Sequence, residues 1–105
     1  MGKAEGDLSR QANEKTGEFA LELAARKGHE AVVRVLLAAG ADAKQLNEEN
    51  GDFALLWAAR DGHQAVVRVL LLASADAKEV NEKDDTSPLS VAVGNPGMMR
   101  LLLGL

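Results

Sequence analysis

Cysteine, isoleucine and tyrosine are absent from this chain of 105 residues, and its only aromatic residues are Phe19, Phe53 and Trp57. The lack of cysteine excludes a disulfide framework and a thiolate nucleophile, and it favours a reducing compartment. Few aromatics and a formal net charge of −4 disfavour nucleic-acid binding, because that affinity comes mainly from basic side chains on phosphates. No apolar run reaches the ~18 residues of a membrane-spanning helix. We therefore predict an intracellular protein, cytoplasmic or nuclear, that binds neither nucleic acid nor a membrane.

Small aliphatic residues are present in excess: 18 Ala, 16 Leu and 9 Val account for 43 of the 49 hydrophobic positions. Alanine leaves no bulk between two backbones, so such a core packs best where helices approach each other closely. The length predicts a single domain with a core of modest size.

A repeat of 34 residues organises most of the chain. Residues 13–46 and 47–80 align without a gap and are identical at 23 of 34 positions. A third copy, residues 81–105, matches the start of the others and is shortened by two residues in its second half. Residues 1–12 remain as a short leader or partial cap. The sequence therefore predicts two full units followed by a shortened one.

Each unit carries two short helical patterns. In the first unit one apolar face is centred on Leu21, and Gly28 can end that helix in the left-handed conformation. A second pattern begins near Glu30 and ends at Gly40, and the polar residues 41–51 favour a turn or hairpin. Neither helix can bury its apolar face alone, so stability requires a neighbouring unit. The face expected to be buried in the second helix comprises Val32, Val33, Leu36 and Leu37.

The strings AARKGHEAVVRVLLAAGAD (24–42) and AARDGHQAVVRVLLLASAD (58–76) resemble the ankyrin repeat. The resemblance covers about residues 13–105. It implies an all-α fold, an ankyrin-type α-solenoid of stacked helix–turn–helix repeats with projecting hairpin loops.

The start of the first helix departs from the family pattern. Where the family has Thr-Pro-Leu-His, this chain has FALE at residues 19–22 and FALL at residues 53–56. A lost hydroxyl cap costs about 0.5–2 kcal/mol. Asp52 is the predicted replacement cap in the second unit, and Thr16 is a weaker candidate in the first. The phenylalanine that opens each segment is expected to be buried, which would offset the loss.

The third unit keeps more of the usual helix-start residues than the first two units do. Residues 87–88 retain a hydroxyl followed by proline, and Asn95 before a proline predicts a helix over about residues 96–103. Ser74 stands where the previous unit has Gly40. If this site needs a positive φ, serine costs on the order of 1 kcal/mol.

His29 and His63 are the only histidines, and they occupy matching places in successive units. Packed helices lie about 10 Å apart, which is too far for the two side chains to share one metal directly. Both match the Gly-His turn of the family, where the imidazole fixes backbone groups. The chain also has no recognisable nucleophile–base set, phosphate-binding loop or metal-ligand spacing. We therefore predict a non-catalytic protein without a metal or a cofactor.

Acidic residues concentrate in residues 42–53 and 76–85. Solvated loop charge is the simpler interpretation, and an acidic rim that faces a basic partner is the alternative.

Trp57 is the most informative single residue, since tryptophan is enriched among binding hot spots. It either packs at the edge of the core or anchors a partner. The resemblance implies binding of another protein through the loop tips and the inner, concave face of the first helices. Carried over position by position, the candidate contact residues are Lys15, Thr16, Glu18, Arg26, Lys27, Glu49, Asn50, Asp52, Trp57, Arg60, Asp61, Lys83, Asp84 and Thr86.

Two alternatives remain open. The close identity of two units also fits an engineered or excised scaffold with no specific partner. Residues 98–105 (MMRLLLGL) are apolar, and such an end favours a homodimer through the C-terminal segment.

Overall fold

The computed structural model describes residues 16–105, which form six helices in three consecutive pairs. The first pair is α1 (Thr16–Lys27) and α2 (Glu30–Ala38), the second is α3 (Ala54–Arg60) and α4 (Gln64–Leu72), and the third is α5 (Pro88–Val91) and α6 (Pro96–Leu103). The described residues contain no strand beyond an isolated antiparallel bridge between Asn81 and Thr86. The predicted all-α architecture is therefore confirmed.

The pairs stack side by side in chain order. The first helices α1, α3 and α5 contact one another in that order, and so do the second helices α2, α4 and α6. Each first helix also packs against the second helix of its own pair. The centre of the core comes from the middle pair, whose fully buried side chains include Leu55, Leu56, Ala58, Val66, Val67 and Leu70. The result is a short α-solenoid, in which the middle pair has a neighbour on each side.

A glycine in the left-handed conformation reverses the chain between α1 and α2. Gly28 has a φ of +75°, as the sequence predicts. The backbone N–H of His29 donates to the carbonyl oxygen of Ala24 at 2.9 Å, and that of Gly28 donates to Ala25 at 3.2 Å. This pair of bonds is a Schellman motif, which satisfies the last carbonyl groups of α1. The chain can therefore turn within two residues and return α2 onto α1.

The second helices end on the same motif, with one unfavourable residue. Gly40 follows α2 with a φ of +101°, and Ser74 follows α4 with a φ of +77°. The site has a positive φ in both units, so the condition under which serine is unfavourable is met.

The start of α3 differs from the prediction. Phe53 is its N-cap residue and no side chain caps the helix. The carboxylate of Asp52 instead accepts a hydrogen bond from Asn81 Nδ2 at 2.8 Å. The prediction that Asp52 caps α3 is wrong, because a side chain from the following loop occupies its carboxylate.

The helices of the third unit begin as predicted. The side chain of Ser87 accepts from the backbone N–H of Ser90 in a reciprocal capping box, and Pro88 is the first helical residue. Asn95 Oδ1 caps α6 by accepting from the backbone N–H of Met98 at 3.0 Å. Good caps compensate for the short length of these two helices.

Burial of the first unit is less complete than predicted. Phe53 is 3% exposed, whereas Phe19 at the matching position is 58% exposed. Val66 is 0% exposed, whereas Val32 is 47% exposed. The second pair packs against the first pair and the third pair, whereas no described helix pair precedes the first. The predictions that Phe19 and Val32 are buried are therefore wrong.

Candidate partner-binding surface

Trp57 lies half-buried on α3, in line with Leu23 of α1 and Val91 of α5 at the matching repeat positions. Two guanidinium groups lie over its indole ring. The Cζ atom of Arg26 is 4.4 Å from the ring centroid, and that of Arg60 is 4.8 Å away. Guanidinium groups at this distance are attracted by the negative face of the ring. Arg26 comes from α1, the first helix of the preceding repeat, and Arg60 comes from the same helix as Trp57, so the ring joins two repeats.

A carboxylate fixes the edge of the same ring. Trp57 Nε1 donates to Glu22 Oε2 at 2.7 Å, and Asn47 Nδ2 donates to Glu22 Oε1 at 3.1 Å. Asn47 Oδ1 in turn accepts from the backbone N–H of Glu49 at 2.8 Å. A chain of hydrogen bonds therefore runs from the loop before α3 to the indole. We refer to Arg26, Arg60, Trp57 and Glu22 as the tryptophan cluster.

The two arginines of the cluster keep their N–H groups available. Both side chains are exposed, and within residues 16–105 neither donates a hydrogen bond or lies within ion-pair distance of a carboxylate. The described part of the chain contains one ion pair, Arg34 with Glu30 at 2.6 Å on α2. Stacking uses the flat face of a guanidinium, so its N–H edges remain able to donate.

The loops before α3 and α5 form a connected row beside the cluster. Both are tight turns, since the backbone N–H of Asn47 donates to Asp52 O at 2.8 Å and that of Asn81 donates to Thr86 O at 2.7 Å. Lys83 Nζ crosses to the first loop, where the carbonyl oxygens of Glu48 and Glu49 each accept at 3.1 Å. The hairpin loops predicted from the sequence are thus present and tied to each other.

Asp52 and Asn81 make the buried part of this loop connection. Asp52 is 7% exposed, and Asn81 Nδ2 donates both to its carboxylate at 2.8 Å and to the carbonyl oxygen of Asn50 at 3.0 Å. The carboxylate of Asp52, one of the predicted contact residues, therefore faces the interior of the loop row.

Asp84 has the one clearly shifted pKa among the described titratable groups. Thr86 lowers the pKa of Asp84 below its usual value of 3.8, mainly through its hydroxyl group at 2.6 Å and also through its backbone N–H at 3.0 Å. The positive charge of Arg60 adds a smaller lowering effect. Asp84 therefore stays charged at neutral pH, with its carboxylate engaged by the loop.

The remaining predicted contact residues fall into two groups. Lys15 lies outside the described residues, as do the side chains of Thr16 and Glu18. The exposed ones are Lys27, Glu49, Asn50 and Asp61. The structure thus brings Arg26, Trp57 and Arg60 together and places Glu49, Asn50 and Lys83 in the adjoining loop row.

Two features of residues 16–105 bear on other classes of function. No group of three or more His, Cys, Asp or Glu side chains in this range is arranged to hold a metal ion. No helix in it has both the length and the apolar character needed to cross a membrane.

Comparison with known families decides the relationship. The family model for ankyrin repeats matches three copies over residues 21–105. The chain belongs to the ankyrin-repeat family. A search of curated proteins found no match. Ankyrin repeats are generally protein–protein interaction modules, and the family is typically non-enzymatic.

The ankyrin Gly-His turn explains His63. Its Nε2 atom lies 3.0 Å from the carbonyl oxygen of Arg26 at the end of α1, so the imidazole joins two repeats. The ring packs so tightly on Gly28 that a Cβ atom there would lie 2.6 Å from His63 Nδ1. The predicted structural role is confirmed for His63. His29 is exposed and makes no equivalent bond among the described residues.

Sequence reasoning missed Glu22 and Asn47 as members of this ankyrin surface. Glu22 replaces the histidine of the ankyrin Thr-Pro-Leu-His segment, and a single carboxylate at this place does not by itself indicate a role in binding. The available signal was the position of Glu22 in the repeat, one residue before Leu23, which matches Trp57 of the next unit. Side chains at such neighbouring positions come into contact between adjacent repeats when the helices stack.

Proposed function

We propose that this chain is a non-catalytic protein–protein interaction module. It binds a partner protein through the loop tips and the concave face formed by the first helices α1, α3 and α5. The observation that carries this proposal is the tryptophan cluster, where two exposed arginines lie over one half-buried indole. Tryptophan and arginine are the residues most enriched among binding hot spots.

Rigidity of the surface supports the proposal further. Trp57 is held at its edge by Glu22, and the loops are joined through Lys83 and Asn81. A surface that is already ordered loses little conformational entropy when a partner binds. The lack of cysteine favours a place of action inside the cell, in the cytoplasm or the nucleus.

The test is a pull-down with a Trp57→Ala, Arg60→Ala double variant. We expect it to lose the partner that the unchanged chain captures, because the centre of the contact surface is removed. Arg68→Ala is the matched control, since Arg68 is an exposed arginine on α4, in the other row of helices. Circular dichroism confirms folding of each variant. Unchanged capture of every partner by the double variant would disprove the proposed surface.

A second candidate function is a scaffold that associates with itself. Exposed apolar side chains near the C-terminal end favour it: Val93, Leu103 and Leu105. Stacking of these side chains on a second copy would form a homodimer or a longer assembly. Sedimentation velocity over a range of concentrations tests this candidate, and a monomer at every concentration would contradict it.

A further inference from the structure

We propose that the tryptophan cluster is a binding site for carboxylate groups, and that the partner segment bound there is an acidic peptide rich in Asp and Glu. This inference rests on the proposed function and names the chemistry of the partner at that surface. The free N–H edges of Arg26 and Arg60 are the groups that would meet the carboxylates.

The geometry of the two arginines favours a planar anion. Their Cζ atoms lie 4.4 and 4.8 Å from one ring centroid, so both guanidinium groups lie beside the same indole. Each guanidinium presents a fork of N–H donors that matches the two oxygens of a carboxylate. Both side chains are exposed and donate no hydrogen bond within residues 16–105, so their N–H groups are able to donate to an approaching group.

The neighbouring carboxylates do not neutralise these arginines by direct pairing. Glu22 accepts from Trp57 and Asn47, and Asp84 accepts from Thr86. Asp61, next to Arg60 in the chain, is exposed and makes no ion pair with the arginines. Lys27 adds a further exposed positive charge beside Arg26. Two like charges held over one ring repel each other, so an anion from outside relieves that repulsion.

The positive charge at the tryptophan cluster also disfavours binding of a basic partner segment there. A lysine or arginine of a partner would meet the positive charges of Arg26 and Arg60, and the carboxylate of Glu22 is already hydrogen-bonded. Like charges brought together at an interface are unfavourable and reject the wrong partner.

The experiment is selection of short peptides from a random display library on the unchanged chain. The Trp57→Ala, Arg60→Ala double variant serves for counter-selection, so that retained peptides depend on the cluster. We expect the retained peptides to be enriched in Asp and Glu. Their affinity is measured by the fluorescence of Trp57, which is the only tryptophan of the chain.

Single variants then test the role of each charge. Arg26→Ala and Arg60→Ala should each weaken binding by about tenfold, because each removes a charge-assisted pair. Arg60→Lys should weaken peptide binding by a smaller factor, since the charge remains but the fork of N–H donors is lost.

Asp61→Asn should tighten peptide binding by about twofold, because an exposed negative charge is removed. Arg68→Ala should leave the affinity unchanged, and added salt should lower it.

The possible failures are distinguishable. If retained peptides need Trp57 but are neutral or basic, or if the arginine variants bind them unchanged, the carboxylate site is wrong and the interaction surface stands. If no peptide distinguishes the unchanged chain from the double variant, both the carboxylate site and the proposed surface are wrong.

Discussion

Ser74 has a φ of +77°, a conformation that glycine adopts at the matching position one repeat earlier. Its backbone N–H donates to Leu71 O at 3.1 Å, and that of Ala75 donates to Leu70 O at 3.0 Å, so the Schellman motif still forms. The Cβ atom of serine makes this conformation unfavourable. The turn after α4 therefore forms despite an unfavourable backbone conformation at Ser74.

We expect Ser74→Gly to raise the free energy of unfolding by about 0.5–1 kcal/mol, because glycine removes the steric strain. Chemical denaturation monitored by circular dichroism measures the change. The reciprocal variant Gly40→Ser is the control and should lower stability by a similar amount. A Ser74→Gly variant less stable than the unchanged chain would contradict this explanation.

At the scale of elements, the two loops before α3 and α5 behave as one structure. Gly51 lies directly against Asn81, whose Oδ1 atom would clash with a Cβ atom at that glycine. Asn81 also bonds to Asp52 and Asn50 across the gap. The row of loop tips is thus fixed by buried polar contacts between neighbouring repeats. Rigid loop tips favour a single binding geometry.

We expect Asn81→Ala to lower the free energy of unfolding by about 1–3 kcal/mol, because the buried carboxylate of Asp52 loses its donor. Asn47→Ala is the matched control. Asn47 is half-buried and its partner Glu22 keeps the bond to Trp57, so the loss should be smaller. Urea denaturation of both variants gives the comparison. Equal losses of unfolding free energy would show that the Asp52–Asn81 hydrogen bond is not the main contact between the two loops.

At the scale of the whole molecule, position in the stack decides how much a repeated residue is buried. Phe19 and Phe53 have the same role in the repeat, yet they are 58% and 3% exposed. The middle pair packs against α1–α2 and against α5–α6, whereas no described helix pair precedes α1–α2. Repeat proteins draw much of their stability from such interfaces between neighbours.

We expect Phe53→Ala to lower the free energy of unfolding by about 3–5 kcal/mol, as for other buried phenylalanines. Phe19→Ala should lower it by less than about 1 kcal/mol, because much of the side chain already meets solvent. Thermal denaturation ranks the two variants. If Phe53→Ala does not fold, Phe53→Leu and Phe19→Leu provide the same comparison. A larger loss at position 19 would contradict the burial seen here.

Much of the fold could be predicted because local signals repeat along the chain. The glycines at 28 and 40, the cap at Asn95 and the helix over 96–103 depend on backbone conformation and short-range hydrogen bonds. The candidate surface was predicted only in part. The sequence identified three of its residues one by one: Arg26, Trp57 and Arg60. The contacts of Trp57 with Arg26 and Glu22 join residues about one repeat apart, so the sequence did not predict them.

The sequence by itself determined the repeat, the helix pairs, the turns between them and the scarcity of aromatics that makes Trp57 distinctive. These features follow from periodicity and backbone preference, which act over a few residues. Only the tertiary structure decided that Asp52 is buried against Asn81, that Phe19 is exposed, and that two arginines share one indole. Each of these outcomes depends on which repeat lies next to which, and stacking creates contacts that no single repeat contains.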